Sequence, residues 1–302
     1  MKAIINLDSI GEIKKLDTSI NIKHPLIAIV DFSKIDVYIE EGARISFDFY
    51  AVICKNYCNY SLRYGRQTID FQEGSLICLA PRQIITVESV IEREENMSGW
   101  GLFFHTDLIR GTHLTDKIKI YTFFHYEISE ALHLSEKEKN ILYDCIKRIN
   151  NELEENIDSF SQDIIVTNIE LLLNYIARFY GRQFITRKSR NKDIISKLES
   201  LLHTYINSEL IEKYGPPSVK YLAENVHLST NYLSDLLKKE TGMSAIEYIN
   251  FFIIEEAKNR LLISNESISD IAYSLGFEYP QYFARIFKRK TGMTPTEFRS
   301  KN

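Results

Sequence analysis

In the first 125 residues, apolar side chains occur in short runs rich in β-branched and aromatic residues. The segments ARISFDFYAVICK, from Ala43, and SLICLAP, from Ser75, have the composition of strands. A Glu-Gly pair before the second segment predicts a turn, and MSGWGLFFH predicts a further strand. We therefore expect residues 1–125 to form a compact β-barrel or sandwich.

The pattern changes to a helical period from about residue 129. Ser135 and Glu138 have the spacing of a capping box, which predicts the start of a helix. Apolar residues then recur at spacings of one, three and four in two successive segments, the second of which is expected to end at Gly181. Together the two segments predict an antiparallel helical hairpin over residues 129–182.

The second helix of this hairpin carries an apolar stripe that has two interpretations. It either covers the β-region or forms a dimer surface, and we favour the dimer surface. The stripe consists of Ile165, Ile169, Leu172, Leu173 and Ile176. The polar, basic segment ITRKSRNKD, from Ile185, predicts a linker over residues 186–192 between domains at residues 1–185 and 193–302.

Two nearly identical segments stand 50 residues apart in the C-terminal region. KKETGMSAIEYI begins at Lys238, and KRKTGMTPTEFR begins at Lys288. In each copy a glycine follows a helix whose last residues are basic, a pattern typical of helix C-termini. A serine or threonine then precedes a glutamate by three residues, which predicts a capping box at the start of the next helix. Each copy therefore predicts a corner between two helices.

The similarity between the copies extends upstream of this corner. Leu222-Ala223 matches Ile271-Ala272 at an offset of 49 residues, and Tyr232-Leu233 matches Tyr282-Phe283 at an offset of 50. Each copy predicts a short helix, a turn and a second helix, the helix-turn-helix pattern that places its second helix in the major groove of DNA. Plain packing of two helical hairpins is the alternative, and the basic residues that end each second helix favour DNA.

The segment between the copies, SAIEYINFFIIEEAKNRLLIS, contains neither proline nor glycine. It predicts one helix of about 19 residues, which at about 1.5 Å per residue spans roughly 28 Å. Successive major grooves on one face of DNA lie about 34 Å apart. A rigid helix of this length would hold two DNA-binding helices near that separation.

Composition and charge fit this division of the chain. The 302 residues are 44% hydrophobic, enough for two domains with real cores. Residues 1–186 carry 20 lysines and arginines against 27 acidic residues, a net charge of −7, whereas residues 187–302 carry 17 against 14, a net charge of +3. This asymmetry is expected when the C-terminal region binds a polyanion.

Several other classes of protein are disfavoured by the sequence. It contains no His-x-His, no G-x-S-x-G and no glycine-rich phosphate loop, so we expect no enzyme, no cofactor and no metal site. No signal-peptide pattern and no apolar run near 18 residues is present, so we expect a cytoplasmic protein that does not enter membranes. The four cysteines are expected to be reduced thiols.

Residues 190–302 resemble the DNA-binding domain of the AraC/XylS family of bacterial transcription regulators. The segments that carry the resemblance are LAENVHLSTNYLSDLLKKETGMS, YINFFIIEEAKNRLL and SISDIAYSLGFEYPQYFARIFKRKTGMTPTEFR. The N-terminal region is similar, more loosely, to the cupin-like sensor domain joined to this module in many members. The resemblance implies an α+β protein, with a cupin-like β-barrel and helical hairpin followed by an all-α domain of two helix-turn-helix units joined by a linker helix.

By this resemblance, the second helix of each helix-turn-helix unit contacts bases. The implied positions are Thr230, Asn231, Ser234 and Asp235 in the first unit, and Gln281, Ala284 and Arg285 in the second. Arginine pairs with guanine, and asparagine or glutamine pairs with adenine. Phosphate contacts, which position a protein on DNA without specifying sequence, are expected from Lys238, Lys239, Lys288 and Arg289.

Two residues depart from the family pattern. Asp235 places a carboxylate near phosphates, which is unfavourable unless it accepts a hydrogen bond from cytosine. Ile253 stands where an arginine is common in the linker helix. We therefore expect the second unit to contact DNA more strongly than the first.

Two hypotheses for the function remain open, and both include a homodimer bound to double-stranded DNA. In the first, a small effector binds the N-terminal domain and controls DNA binding. Its pocket would include Phe47, Phe49, Tyr50, Tyr64 and Trp100, which equally well fill the core of a small barrel. In the second, the protein binds DNA constitutively and its N-terminal domain only packs or contacts RNA polymerase.

Overall fold

The computed structural model describes residues 4–34, 42–55, 60–64, 67–69, 74–90, 98–155 and 158–301. The chain divides into two compact units, Met1–Thr186 and Arg187–Asn302. The described strands all lie in the first unit, and the described elements of the second unit are all helices. The expected change from a region with strands to an all-helical region is confirmed.

Ten strands of the first unit form two five-stranded sheets within the described residues. The strands are β1 (Ile4–Leu7), β2 (Ile27–Asp31), β3 (Arg44–Phe47), β4 (Tyr50–Lys55), β5 (Tyr60–Tyr64), β6 (Gln67–Ile69), β7 (Ser75–Leu79), β8 (Ile84–Val90), β9 (Gly99–Phe104) and β10 (Leu132–His133). Their order is β1-β3-β8-β5-β6 in one sheet and β10-β7-β4-β9-β2 in the other. The pair β1–β3 is parallel, and the other pairs are antiparallel.

The two sheets do not close into the predicted cupin-like barrel within the described part of the chain. One sheet ends at β6, which has three residues, and the other ends at β10, which has two. Strands this short form few ladder hydrogen bonds with which one sheet could continue into the next. Apolar side chains from both sheets instead share one core, in which the rings of Phe47, Phe49 and Phe103 lie 5.4–6.1 Å apart. Two sheets around a common core correspond to the sandwich alternative.

Four described α-helices of the first unit come after β9, the first two of them before β10. They are α1 (Thr106–Ile109), α2 (Leu114–Lys117), α3 (Glu136–Glu154) and α4 (Ser161–Thr186). The capping box of Ser135 and Glu138 is present with both of its hydrogen bonds, and α3 packs against α4, so the helical hairpin is confirmed.

Helix α4 does not end at Gly181 but continues to Thr186. Residues beyond the glycine make hydrogen bonds to distant parts of the unit. The guanidinium of Arg182 donates to a carboxylate oxygen of Glu138 at 2.9 Å and to the carbonyl of His133 at 2.7 Å. Gln183 accepts from the backbone N–H of His133 at 2.9 Å. These contacts hold the last helical turn, so the glycine does not terminate the helix.

The stripe predicted as a dimer surface lies inside the unit. Ile165, Ile169, Leu172, Leu173 and Ile176 are between 0% and 3% exposed. Side chains buried this completely are not available to a partner in this fold. Their apolar spacing serves the core of the first unit, which is the other of the two interpretations.

Eight helices form the described part of the second unit. They are α5 (Lys188–Ile206), α6 (Glu209–Tyr214), α7 (Val219–Asn225), α8 (Thr230–Thr241), α9 (Ala245–Ile263), α10 (Ile268–Ser274), α11 (Pro280–Thr291) and α12 (Pro295–Lys301). The segment predicted as a linker over residues 186–192 is largely helical, because only Arg187 separates the end of α4 from the start of α5. The backbone N–H of Asn191 donates to the carbonyl of Arg187 at 2.9 Å, and the amide of Asn191 donates to Glu240 at 2.7 Å. A tertiary hydrogen bond thus favours helix in a segment whose polar composition is typical of a loop.

Two helix-turn-helix units are formed as expected, one by α7 and α8 and one by α10 and α11. Helix α9 joins them as a single helix of 19 residues. The predicted corners are confirmed, since Gly242 and Gly292 have φ of 74° and 79° and the capping box of Ser244 and Glu247 is complete. Ile253 is fully buried at 0% exposure, so α9 presents no side chain to DNA at this position.

Candidate nucleic-acid interface

Helix α8, the second helix of the first helix-turn-helix unit, is fixed by its cap and its apolar face. The hydroxyl of Ser229 accepts a hydrogen bond from the backbone N–H of Tyr232 at 3.1 Å. Leu233, Leu236 and Leu237 are 0% exposed. A face anchored in this way leaves the opposite side of the helix open to a partner.

Helix α11 has the same place in the second unit. Pro280 stands in its first turn, a position where proline is pre-organised for a helix. Phe283 and Phe287 are 0% exposed, and their ring centroids lie 5.7 Å apart. Gln281 and Arg285 are exposed on the side away from these rings.

The predicted base-contacting residues differ in exposure between the two helices. On α8, Thr230 is exposed, whereas Asn231, Ser234 and Asp235 are half-buried. The hydroxyl of Ser234 donates to the carbonyl of Thr230 at 2.7 Å, so its proton is already used within the helix. Among the predicted residues of α11, Gln281 and Arg285 are exposed and have strong hydrogen-bonding groups, whereas Ala284 is half-buried. The second helix-turn-helix unit therefore presents more accessible hydrogen-bonding groups than the first.

The basic residues predicted to contact phosphates lie at the C-terminal ends of α8 and α11. Lys239, Lys288 and Arg289 are exposed. The ammonium of Lys238 is also at the surface, but it donates to the carbonyl of Gly242 at 3.0 Å and so caps its own helix. The three other cations are better placed than Lys238 for phosphate contacts.

Two capping glutamates keep their negative charge beside these basic ends. The pKa of Glu247 is lowered chiefly by the hydrogen bond from the backbone N–H of Ser244, with smaller contributions from nearby lysines. The pKa of Glu297 is lowered in the same way by the backbone N–H of Thr294. Both carboxylates therefore stay ionised at neutral pH, and they reduce the local positive charge.

Tyr282 was not among the predicted site residues. The sequence repeat pairs it with Tyr232, yet Tyr232 is 4% exposed and Tyr282 is 50% exposed. The guanidinium carbon of Arg285 lies 5.2 Å from the centroid of the Tyr282 ring. The spacing of three residues between tyrosine and arginine on one helix was the signal in the sequence that indicates such a contact.

The aromatic residues predicted as a ligand pocket are separated by the structure. Phe47 and Phe49 lie in the core, at 4% and 0% exposure. The ring of Tyr50 stacks on that of Phe104 at 5.1 Å, and the side chain of Tyr64 lies outside the described part of the structure. Trp100 lines a groove of about 690 Å³ that is bordered by α3.

Other candidate chemistry is sparse in the described residues. Cys54, Cys78 and Cys145 are free, buried thiols, and burial raises the pKa of each, whereas Cys58 lies outside the described residues. The described part of the chain contains no group of three or more His, Cys, Asp or Glu side chains that could hold a metal ion. None of its helices combines the length and the apolar character needed to cross a membrane.

A family model described as a helix-turn-helix domain matches residues 222–301. The match includes α8, α9, α10 and α11, and thus both second helices and the helix that joins them. Residues 222–301 are therefore a helix-turn-helix domain. The prediction of a helix-turn-helix domain in the C-terminal region is confirmed.

Curated relatives of the chain carry names of the same kind. An uncharacterized HTH-type transcriptional regulator of Bacillus subtilis, YobQ, is 38% identical over 96 residues, which is 32% of this chain and 39% of the relative. The bifunctional transcriptional activator/DNA repair enzyme AdaA of the same organism is 35% identical over 104 residues, which is 34% of this chain and 48% of the relative. The chain thus spans less than half the length of these two relatives.

A solved structure of a transcriptional regulator from Chromobacterium violaceum with an AraC-type DNA-binding domain is also similar. It is 23% identical and covers 37% of this chain and 94% of its own, with a TM-score of 0.33.

Proposed function

We propose that this chain is a sequence-specific transcription regulator that binds double-stranded DNA through both units of its AraC-type domain. One observation carries the proposal: α8 and α11 occupy equivalent places in a repeated motif, and each has a buried apolar face and a basic C-terminal end. The names of the curated relatives support regulation of transcription. Such a protein acts in the cytoplasm, where bacterial DNA lies.

The length of α9 supports binding by both units at once. Its 19 residues span about 28 Å at 1.5 Å per residue. Adjacent major grooves on one face of DNA are about 34 Å apart. The two second helices can then enter successive grooves, with Gln281 and Arg285 of α11 as the main base contacts.

Selection of binding sites by the full chain from a pool of random duplexes tests this function. We expect an enriched sequence with two conserved blocks about 10 base pairs apart, one for each helix. The logarithm of the affinity should fall linearly with the logarithm of the salt concentration. Arg285→Ala should remove preference within one block, and the matched variant Asn231→Ala should affect the other. A wild-type chain that enriches no sequence would show that the proposed function is wrong.

The homodimer is also a proposal, and the burial of the predicted stripe moves its interface to the opposite side of α4. Ile164 is 42% exposed and Leu171 is 38% exposed. They are seven residues apart and so lie on one face of the helix, at the spacing of a coiled-coil seam. We propose that a second copy of this chain packs here.

Control by a small effector is favoured by the groove in the compact unit Met1–Thr186. Its volume of about 690 Å³ falls within the range of about 300–1,000 Å³ that is typical of small-molecule sites. Trp100, Lys139, Tyr143 and Asn150 are among its lining residues, so it offers an aromatic surface with polar groups around it. An effector that binds only the folded protein raises its melting temperature. A metabolite panel that never shifts the melting temperature would favour the alternative, in which this unit only packs or contacts RNA polymerase.

A further inference from the structure

The exposed face of α11 carries a tyrosine whose counterpart in the first unit belongs to the core. Tyr232 on α8 is 4% exposed, and Tyr282 at the matching position of α11 is 50% exposed. The second turn, residues 275–279, is one residue longer than the first, residues 226–229. The same residue type therefore fills the core in one helix-turn-helix unit and is exposed to solvent in the other.

The ring of Tyr282 has two partners, one in the core and one exposed. Its centroid lies 6.2 Å from that of Phe277, which is 6% exposed and packs on Phe283 with centroids 5.3 Å apart. The guanidinium carbon of Arg285, an exposed residue, lies 5.2 Å from the Tyr282 centroid. A cation within about 6 Å of an aromatic centroid is attracted by the ring quadrupole. A continuous set of contacts thus joins the core of the compact unit Arg187–Asn302 to the exposed guanidinium of Arg285.

Such support matters for an arginine that must reach a base. An exposed arginine samples many rotamers and loses that freedom when its two donors align with the O6 and N7 atoms of guanine. A side chain held near its bound orientation loses less, so pre-organisation increases affinity without any new contact to the ligand.

We propose that Tyr282 is a positioning residue that holds Arg285 in the orientation in which it contacts guanine. The inference rests on the proposed function and adds a specific residue to it. Tyr282 acts through its ring, and its hydroxyl is not required. Direct contact of Tyr282 with a base, and a role in folding alone, are the other roles that the test must separate.

The test measures binding of full-length variants to the selected duplex and to a duplex changed at the base pair where Arg285→Ala loses preference. Tyr282→Leu should reduce that preference about two- to fivefold, the effect of an exposed cation–π contact. Tyr282→Phe should retain it, because the ring remains. In the Arg285→Ala background, Tyr282→Leu should have no further effect, since the side chain that it positions is absent.

Tyr214 provides a matched control in the same unit. The ammonium of Lys213 lies 5.1 Å from the centroid of the Tyr214 ring, and Tyr214 is 66% exposed on α6, outside residues 222–301. Tyr214→Leu removes a contact of the same kind and should leave base preference unchanged.

The possible results separate the roles. A loss on Tyr282→Leu that persists in the Arg285→Ala background would show that Tyr282 contacts DNA itself and would overturn the positioning role. An equal loss of affinity on every duplex, together with a lower melting temperature, would show a role in folding and would also overturn it. Unchanged preference in Tyr282→Leu overturns it directly.

A measurement without DNA keeps this inference distinct from the proposed function. Ring currents should shift the Nε–H resonance of Arg285 in the ¹⁵N-labelled full chain, and Tyr282→Leu should remove that shift while Tyr282→Phe keeps it. An unshifted resonance in the wild-type chain would overturn the positioning role even if the chain selects a DNA sequence. A shifted resonance in a chain that selects no sequence would instead locate the failure in the proposed function.

Discussion

Gly276 and His227 occupy the same place in the two helix-turn-helix turns, and both have a positive φ, 77° and 57° respectively. The next residue in each turn donates its backbone N–H back to an alanine carbonyl at 3.0 Å, Leu228 to Ala223 and Phe277 to Ala272. The two turns thus share a left-handed residue and a hydrogen bond, although one uses glycine and the other histidine. This conformation costs a residue with a Cβ about 1–2 kcal/mol.

Gly276→Ala should destabilise the compact unit Arg187–Asn302 by about 2 kcal/mol or more, because a conformational cost and a steric cost add. The left-handed conformation contributes about 1–2 kcal/mol. A Cβ at this position would also overlap the carbonyl oxygen of Ile211 and lie 2.8 Å from the Cα of Gly215. Urea denaturation followed by circular dichroism measures the change.

Gly292→Ala is the matched control for this prediction. Gly292 has nearly the same φ, 79°, but a Cβ there would meet no atom within 4 Å. Gly292→Ala should cost only the conformational part, about 1–2 kcal/mol. Equal losses in the two variants would mean that the approach of Gly276 to residues 211–215 does not limit the side chain.

His227→Gly should stabilise the compact unit Arg187–Asn302 by about 0.5–1 kcal/mol. Glycine adopts the positive φ without the steric cost, and this gain exceeds the entropy that glycine loses on folding. The free energy of unfolding in urea reports the effect. His227→Ala serves as the control, since it removes the ring but keeps a Cβ in the left-handed region. If His227→Gly is no more stable than His227→Ala, the backbone at this turn carries no cost.

Arg285→Ala and Lys288→Ala should weaken DNA binding in different ways. Arg285→Ala is expected to cost about 1–3 kcal/mol on the preferred duplex and to relax preference at one base pair. Lys288→Ala should weaken binding to all duplexes similarly and reduce the salt slope by about one, because a phosphate contact releases a counterion. Titrations on preferred and scrambled duplexes at several salt concentrations measure both effects. The assignment of the two roles fails if both variants show one sequence profile.

Leu171→Glu should shift a dimeric chain towards monomer, because it places a charge on the proposed interface, the face of α4 that carries Ile164 and Leu171. Sedimentation equilibrium at several protein concentrations measures the change. Ala177→Glu is the control, since Ala177 is exposed on the same helix but lies about 120° away around its axis. A dimer that Leu171→Glu leaves intact would exclude this face of α4 as the interface.

The two helix-turn-helix units and the helix that joins them could be predicted from the sequence, because their signals are local. A capping serine and its glutamate are three residues apart, and a terminal glycine directly follows its helix. The corner at Gly242, Ser244 and Glu247 formed as predicted for that reason. The repeat added a second copy of each signal, which identified the motif and indicated DNA.

Contacts between distant residues decided what the sequence left open. Helix α4 continues past Gly181 because Arg182 binds Glu138, 44 positions earlier, and α5 begins within the predicted linker, where Asn191 binds Glu240. The stripe of α4 and the rings of Phe47 and Phe49 are buried by elements far away in the chain.

The two tyrosines of the repeat show the same division. The helical period placed Tyr232 and Tyr282 at one position of a repeated pattern, and only the packing around each helix decided that one is buried and the other exposed. Periodicity in a sequence determines which residues share a face of a helix. What covers that face depends on the free energy of burying it against residues whose distance along the chain carries no local signal.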